Sequence, residues 1–136
     1  MSVYVICVGK LKEKFYLDAA AEYARRLGSY CRLQMVELPE ERLPATPSDA
    51  QIRAALAREA QAIRAKLPPS SSVIALCVEG RLRSSRELAQ LVGTFEHSAA
   101  KHLVLLIGGS YGLAEQLKAE AWVRLSMSPM TFPHHL

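Results

Sequence analysis

Short apolar runs alternate with amphipathic segments along the whole chain. Four of the runs are almost continuously apolar, as expected of strands that are covered on both faces of a sheet. They occupy residues 3–8, 72–78, 103–107 and 122–125. A fifth run, residues 32–38, alternates apolar with polar residues and predicts a strand near a sheet edge.

Between these runs the apolar residues take the spacing of helices. In residues 12–27 an apolar residue recurs at every fourth position, which predicts a helix with one apolar face. The residues of that face are Phe15, Ala19, Tyr23 and Leu27. Two later helices open at capping boxes, in which a serine precedes Gln51 or Glu87 by three positions. A fourth helical segment spans residues 113–121.

The order of these segments indicates the fold class. Strands and helices alternate from one end of the chain to the other, which predicts an α/β fold. We expect a parallel-dominated sheet of about five strands with helices on both faces. The pair Glu79-Gly80 predicts a turn that ends the third strand. A length of 136 residues is usual for one domain, so we expect a single domain over residues 1–136.

Charge and cysteine content narrow the functional classes. A formal net charge of +4 favours an anionic partner such as nucleic acid. Cys7, Cys31 and Cys77 lack the spacing of metal or redox sites, so we expect reduced thiols, no metal and a cytoplasmic location. The apolar start has no basic leader or cleavage site, and no run reaches the roughly 18 residues of a membrane span, so we expect no membrane association.

Two loops that follow predicted strands carry the strongest signal for a binding site. One is the glycine-rich loop 108–112, and the other is residues 126–133, which combine serine, threonine and proline without any charged side chain. Ligands of parallel sheets bind outside the carboxyl ends of the strands, where glycine lets the backbone approach closely. Such loops suit a flat heterocycle. The first strand is followed by neither a dinucleotide fingerprint nor a phosphate-binding loop.

Four segments are distinctive in their sequence. They read GKLKEK from Gly9, EYARRL from Glu22, LIGGSYGL from Leu106 and MTFPH from Met130. Together they resemble the ribosomal RNA large subunit methyltransferase H family, which belongs to the trefoil-knotted SPOUT class. The resemblance runs in register over the whole chain. It implies a homodimer that transfers a methyl group from S-adenosylmethionine to N3 of a pseudouridine in helix 69 of 23S ribosomal RNA, in the large subunit or the assembled ribosome.

The resemblance also implies where the cofactor binds. The family's cofactor-binding positions fall on Leu76, Gly108, Met127, Ser128, Pro129, Met130, Thr131 and Phe132. We expect a side chain at Gly108 to exclude the cofactor while leaving the fold largely intact. The acceptor nitrogen must also lose a proton, and the titratable candidates in the last motif are His134 and His135. The alternative is that both are solvent-facing imidazoles near the chain end.

Two basic clusters are candidates for contacts with RNA. Arg81, Arg83 and Arg86 follow the third strand, close to the predicted cofactor loop, and we favour these. For the other cluster a solvated helix face is an equal alternative. Its members are Lys10, Lys12, Lys14, Arg25 and Arg26.

The chain departs from the family pattern at its end. It stops at Leu136, where related sequences continue through another apolar helix and a tail rich in Arg, Tyr and His. We therefore expect an incomplete trefoil knot, and dimerisation and activity are the properties that the missing segment would affect. Two other interpretations stay open: a non-catalytic module that binds RNA or another partner, and an unrelated nucleotide-binding enzyme, which the absent phosphate loop disfavours.

Overall fold

The computed structural model describes residues 1–136 and contains five strands and four helices in strict alternation. In chain order they are β1 Ser2–Val8, α1 Lys14–Leu27, β2 Arg32–Leu38, α2 Asp49–Lys66, β3 Ser71–Leu82, α3 Ser85–Glu96, β4 His102–Ile107, α4 Glu115–Glu120 and β5 Val123–Ser126. Every predicted element is present, and the α/β class is confirmed. None of the helices has the length and apolar character needed to cross a bilayer.

The five strands form one sheet in the order β2-β1-β4-β3-β5, and every neighbouring pair is parallel. Parallel neighbours require crossover connections, which the four helices supply. The alternating strand β2 lies at an edge, as its pattern predicts. Because all strands run in the same direction, the loops that follow them lie along one edge of the sheet, called here the carboxyl edge.

Apolar side chains cover both faces of this sheet. Neighbouring residues of β4 belong to different clusters, because successive side chains of a strand point to opposite faces. Val104 and Leu106 pack with residues of α2 and α4, whereas Leu103 packs with residues of α3. Each of these β4 side chains is at most 3% accessible, and full burial of such a residue contributes about 1.5–3 kcal/mol.

Helix α1 is the exception, since none of its residues is fully buried. Its predicted apolar face is largely exposed, with Phe15 65% and Tyr23 62% accessible. The half-buried residues include Ala20 and Ala24, on a different stripe. An apolar residue at every fourth position identifies an apolar stripe of the helix. It does not show that this stripe packs on the sheet, because a second stripe that contains alanines can pack there instead.

The predicted turn at Glu79-Gly80 is wrong, because β3 continues to Leu82. The register shifts between Leu76 and Arg81, and both residues pair with Leu125 of β5. The chain between them passes so close to β5 that a Cβ on Gly80 would lie 2.7 Å from the carbonyl carbon of Leu125. Glycine therefore permits the close approach that lets β3 extend along β5.

Candidate functional site

Several loops meet at the carboxyl edge of the sheet. Leu76 of β3 pairs with Ile107, directly before Gly108, and with Leu125, two residues before Met127. The structure thus brings together the three stretches to which the family resemblance assigns the cofactor. The loops after β1 and β2 lie at the same edge and contact the other residues described below.

The loop of residues 108–112, called here the glycine wall, is closed on itself. Its amide at Gly112 donates to the carbonyl of Gly109 at 3.0 Å, and Gly112 has a φ of +78° that favours glycine. Gly108 is buried, and a Cβ there would lie 2.9 Å from the Cα of Gly112 and still closer to its carbonyl group. The expectation that a side chain at Gly108 leaves the fold intact is therefore wrong, because it would displace the wall itself.

Glu40 holds the glycine wall from outside, and the sequence pattern did not identify it. Its Oε1 accepts a hydrogen bond from the amide of Ser110 at 2.7 Å, across 70 positions of sequence. The same oxygen lies 2.7 Å from where a Cβ of Gly109 would be. The sequence offered only a weak indication of this role, because Glu40 lies two residues beyond the end of β2 in a segment with the composition of an exposed loop.

A buried carboxylate anchors the loop that carries Glu40. Oε2 of Glu59, on α2, accepts a hydrogen bond from the amide of Glu41 at 2.8 Å. Burial raises the pKa of Glu59, and the negative charges of Glu40 and Glu41 act in the same direction, although the bond from the Glu41 amide opposes them. The contacts of Glu59 and Glu40 together connect α2 to the glycine wall.

The segment from Met127 to Phe132, called here the open wall, is built differently. Its large apolar side chains face solvent, with Met127 74%, Met130 69% and Phe132 49% accessible. The hydrogen bonds at its start are local: the Ser126 hydroxyl donates to the Ser128 carbonyl, and the Met130 amide donates to the Ser128 hydroxyl, both at 3.0 Å. None of its side chains carries a charge.

The two candidate histidines are half-buried. Their ring centroids are 4.0 Å apart, and the ring of His135 stacks on Tyr16 of α1 at 5.9 Å. Nε2 of His134 lies 3.3 Å from where a Cβ of Gly9 would be. Burial lowers the pKa of His134, and the nearby charge of His135 adds to this, while Glu40 opposes it. A neutral imidazole can accept a proton.

The two basic clusters separate clearly in the structure. On α1, Lys14 pairs with Asp18, and Arg25 and Arg26 both pair with Glu22, each at 2.9 Å. These are exposed ion pairs, and they support the solvated-face alternative for that cluster. By contrast, Arg81 and Arg83 line a groove beside β5, whereas Arg86, in the first turn of α3, is not among the groove residues.

A buried lysine supports the extension of β3. Lys118 of α4 is 9% accessible and forms ion pairs with Glu79, on that extension, and with Glu115 at 2.8 Å. Burial alone would lower the pKa of Lys118, but the hydrogen bonds that its ammonium donates to the two glutamates outweigh burial, and the net shift is upward. The bond to Lys118 holds the pKa of Glu79 below its ordinary value.

Two known relatives match the whole chain: a family model and a curated protein. The family model described as "Predicted SPOUT methyltransferase" matches residues 1–136. The ribosomal RNA large subunit methyltransferase H of Exiguobacterium sibiricum is 40% identical over 136 residues, which are 100% of this chain and 86% of that protein. The family resemblance inferred from the four sequence segments is confirmed.

Proposed function

The chain belongs to the SPOUT methyltransferase family, and on that premise we propose that it transfers a methyl group from S-adenosylmethionine to N3 of a pseudouridine in helix 69 of 23S ribosomal RNA. One observation carries the proposal: Leu76, the glycine wall and the open wall meet at the carboxyl edge of a parallel sheet. Ligands of such sheets bind at this edge. The relative named above is a ribosomal RNA methyltransferase, which supports this class of substrate.

The residues at this edge fit the proposed cofactor. The open wall offers uncharged and largely apolar side chains, and the glycine wall offers backbone polar groups, which together suit an adenosine. When bound, S-adenosylmethionine supplies an electrophilic methyl group. Methyl transfer is an in-line displacement, so the main task of Leu76 and the two walls is to hold donor and acceptor in line.

The remaining task is removal of the N3 proton from the acceptor base. His134 is the group that we assign to this step, because its lowered pKa keeps the imidazole neutral and it lies at the same edge as the glycine wall. The ring of His135 packs against that of His134 and is itself stacked on Tyr16, so it limits how the ring of His134 can turn. His135 therefore acts as a positioning residue.

The working form in this proposal is a cytoplasmic homodimer of a single domain that acts on the large subunit or the assembled ribosome. The exposed apolar face of α1, which includes Phe15 and Tyr23, supports association with a second copy, since such surface is normally covered. The net charge of +4 supports an RNA substrate.

Two measurements test the proposal. Calorimetric titration with S-adenosylhomocysteine should show binding by the wild-type chain. Incubation with labelled S-adenosylmethionine and ribosomes should label 23S ribosomal RNA when helix 69 contains pseudouridine, and not when those positions are unmodified uridine. Binding without transfer to either ribosome would favour the non-catalytic module, and absence of binding would contradict the cofactor assignment.

A further inference from the structure

A basic groove lies between the extension of β3 and the start of β5. It has a volume of about 420 Å³, and its lining includes Arg81, Arg83, Arg124 and Trp122. This volume is within the range of small-ligand sites. We propose that this arginine groove binds a single-stranded segment of RNA, with one base stacked on Trp122 and the arginines on the phosphates. The inference rests on the proposed function only in taking the RNA to be ribosomal.

The cations of the groove are available to a ligand. None of the three arginines takes part in the seven ion pairs of the chain. Nε of Arg83 is buried and has no hydrogen-bond partner, although buried donors are nearly always paired. A phosphate oxygen would satisfy this donor if the side chain of Arg83 turned to expose it. Arg81 and Arg124 are exposed and can follow a backbone that continues beyond the groove.

The one carboxylate in the groove does not cancel this charge. Glu79 also lines the groove, but its side chain accepts a hydrogen bond from Lys118 of α4, which offsets part of its charge and also pairs with Glu115. The groove lining therefore holds three guanidinium groups and one carboxylate, and the carboxylate of Glu87 lies near enough for Arg81 and Arg83 to help lower its pKa. The electrostatic potential in the groove is positive, and this favours the binding of a polyanion.

Trp122 determines which polyanion fits. It is the single tryptophan of the chain, it is 40% accessible, and it lines the groove together with the arginines. An aromatic face beside cations suits a nucleic acid, whose bases stack while its phosphates pair, better than an acidic protein or an inorganic anion. Bases are free to stack in this way only when they are unpaired, which favours a single strand.

The groove adjoins the candidate cofactor site. Leu125 pairs with both Leu76 and Arg81, and it directly follows Arg124. RNA in the groove would therefore lie beside the edge at which we place methyl transfer. Arg124 takes the place of Arg86 in the predicted RNA-binding set, because the tertiary structure brings β5 against the extension of β3.

The first experiment uses Trp122 as its own reporter. Titration of the wild-type chain with an oligouridylate of about ten nucleotides should quench tryptophan fluorescence, and less so at higher salt. A hairpin RNA without unpaired bases in its stem should quench less. Inorganic polyphosphate at the same charge supplies phosphates without bases. If polyphosphate quenches as much as oligouridylate, the stacking assignment is overturned. If neither oligouridylate nor polyphosphate quenches the fluorescence, the groove itself is overturned as a binding site.

The second experiment measures affinity by fluorescence anisotropy of labelled oligouridylate. Arg124→Gln should weaken binding about tenfold, whereas Arg53→Gln, which removes an exposed arginine on α2, should not. Trp122→Ala should also weaken binding, and Trp122→Phe should retain most of the affinity because a ring remains. Equal affinities of the Arg124 and Arg53 variants, both folded by circular dichroism, would contradict the proposal.

Titration with S-adenosylhomocysteine separates this inference from the proposed function. The groove variants should bind that ligand like the wild-type chain, because Arg124 and Trp122 lie outside both walls. If the wild-type chain binds no S-adenosylhomocysteine but Arg124→Gln still weakens RNA binding, the cofactor assignment fails and the groove stands. If cofactor binding is normal and the groove variants bind RNA like the wild-type chain, only the groove fails.

Discussion

The glycine wall and the open wall flank the same strand ends, yet they are stabilised in different ways. The glycine wall is buried at Gly108, closed by its own hydrogen bond and held by Glu40 from a distant part of the sequence. The open wall leaves its methionines about 70% accessible and starts with hydrogen bonds between near neighbours. One wall is thus formed before any ligand arrives.

One site can thus combine a rigid wall with an adaptable one. A backbone surface held by buried glycines presents its donors and acceptors in one arrangement, which reduces the ordering that binding requires. Flexible methionine side chains can adapt to the shape of a ligand, and they gain stability only when the ligand covers them. We therefore expect substitutions in the glycine wall to change folding stability, and substitutions in the open wall to change binding alone.

The largest effect is expected from a change that breaks the glycine wall. Gly108→Ala should lower the free energy of unfolding by about 2 kcal/mol, because the added Cβ meets the backbone of Gly112. A Cβ on Gly112 would meet no atom, so only the positive φ strains the Gly112→Ala variant. Its free energy of unfolding should fall by about 1 kcal/mol. Urea denaturation measures both values.

The matched control is Gly93→Ala in α3. A Cβ at Gly93 meets nothing within 4 Å, so this change should stabilise the helix by about 0.5–1 kcal/mol. A Gly108→Ala variant as stable as the wild-type chain would show that the wall is not closed against Gly112.

A change in Glu40 tests what holds the glycine wall in place. Glu40→Ala removes the charged acceptor of the Ser110 amide and should lower the free energy of unfolding by about 1.5 kcal/mol. Hydrogen exchange at the Ser110 amide should become faster. Glu41→Ala is the control, because like Glu40→Ala it removes a negative charge near Glu59, but the bond it loses is an exposed ion pair with Arg58 at 3.4 Å, which contributes less than about 1 kcal/mol. Unchanged exchange at Ser110 in the Glu40 variant would count against this role.

The open wall should show the opposite behaviour. Met130→Ala should leave the free energy of unfolding within about 0.5 kcal/mol of wild type, because the side chain is 69% accessible. It should lower affinity for S-adenosylhomocysteine about tenfold in calorimetry, since covering a methionine contributes of order 1.5 kcal/mol. Tyr30→Ala, which alters an 80% accessible residue before β2 at the opposite edge, should change neither value. A loss of stability in the Met130 variant would remove the distinction between the walls.

The smallest effect concerns pH and the histidine next to the glycine wall. Burial and the charge of His135 lower the pKa of His134, while Glu40 opposes this. At pH values near and below 6.5, the ordinary pKa of histidine, the unfolded chain therefore binds more protons than the folded chain. Stability should therefore fall as pH decreases through 6.5 and the region below it. The His134→Gln variant should lose part of this dependence, whereas His97→Gln, on an exposed residue after α3, should keep it. Urea midpoints on both sides of that pH provide the measurement.

The strands and helices, their order and the α/β class could be predicted from the amino-acid sequence, because the spacing of apolar residues within a segment reflects how that segment is buried. The sequence also indicated the two loops of the candidate site, since glycine and proline act locally on the backbone. Three features could not be predicted in this way: α1 exposes its apolar stripe, Glu40 accepts a hydrogen bond from Ser110, and Arg124 lies with Arg81 and Arg83 in one groove. These contacts join residues far apart in the chain, and they depend on the order of strands in the sheet and on the passage of β3 along β5, which local spacing does not encode.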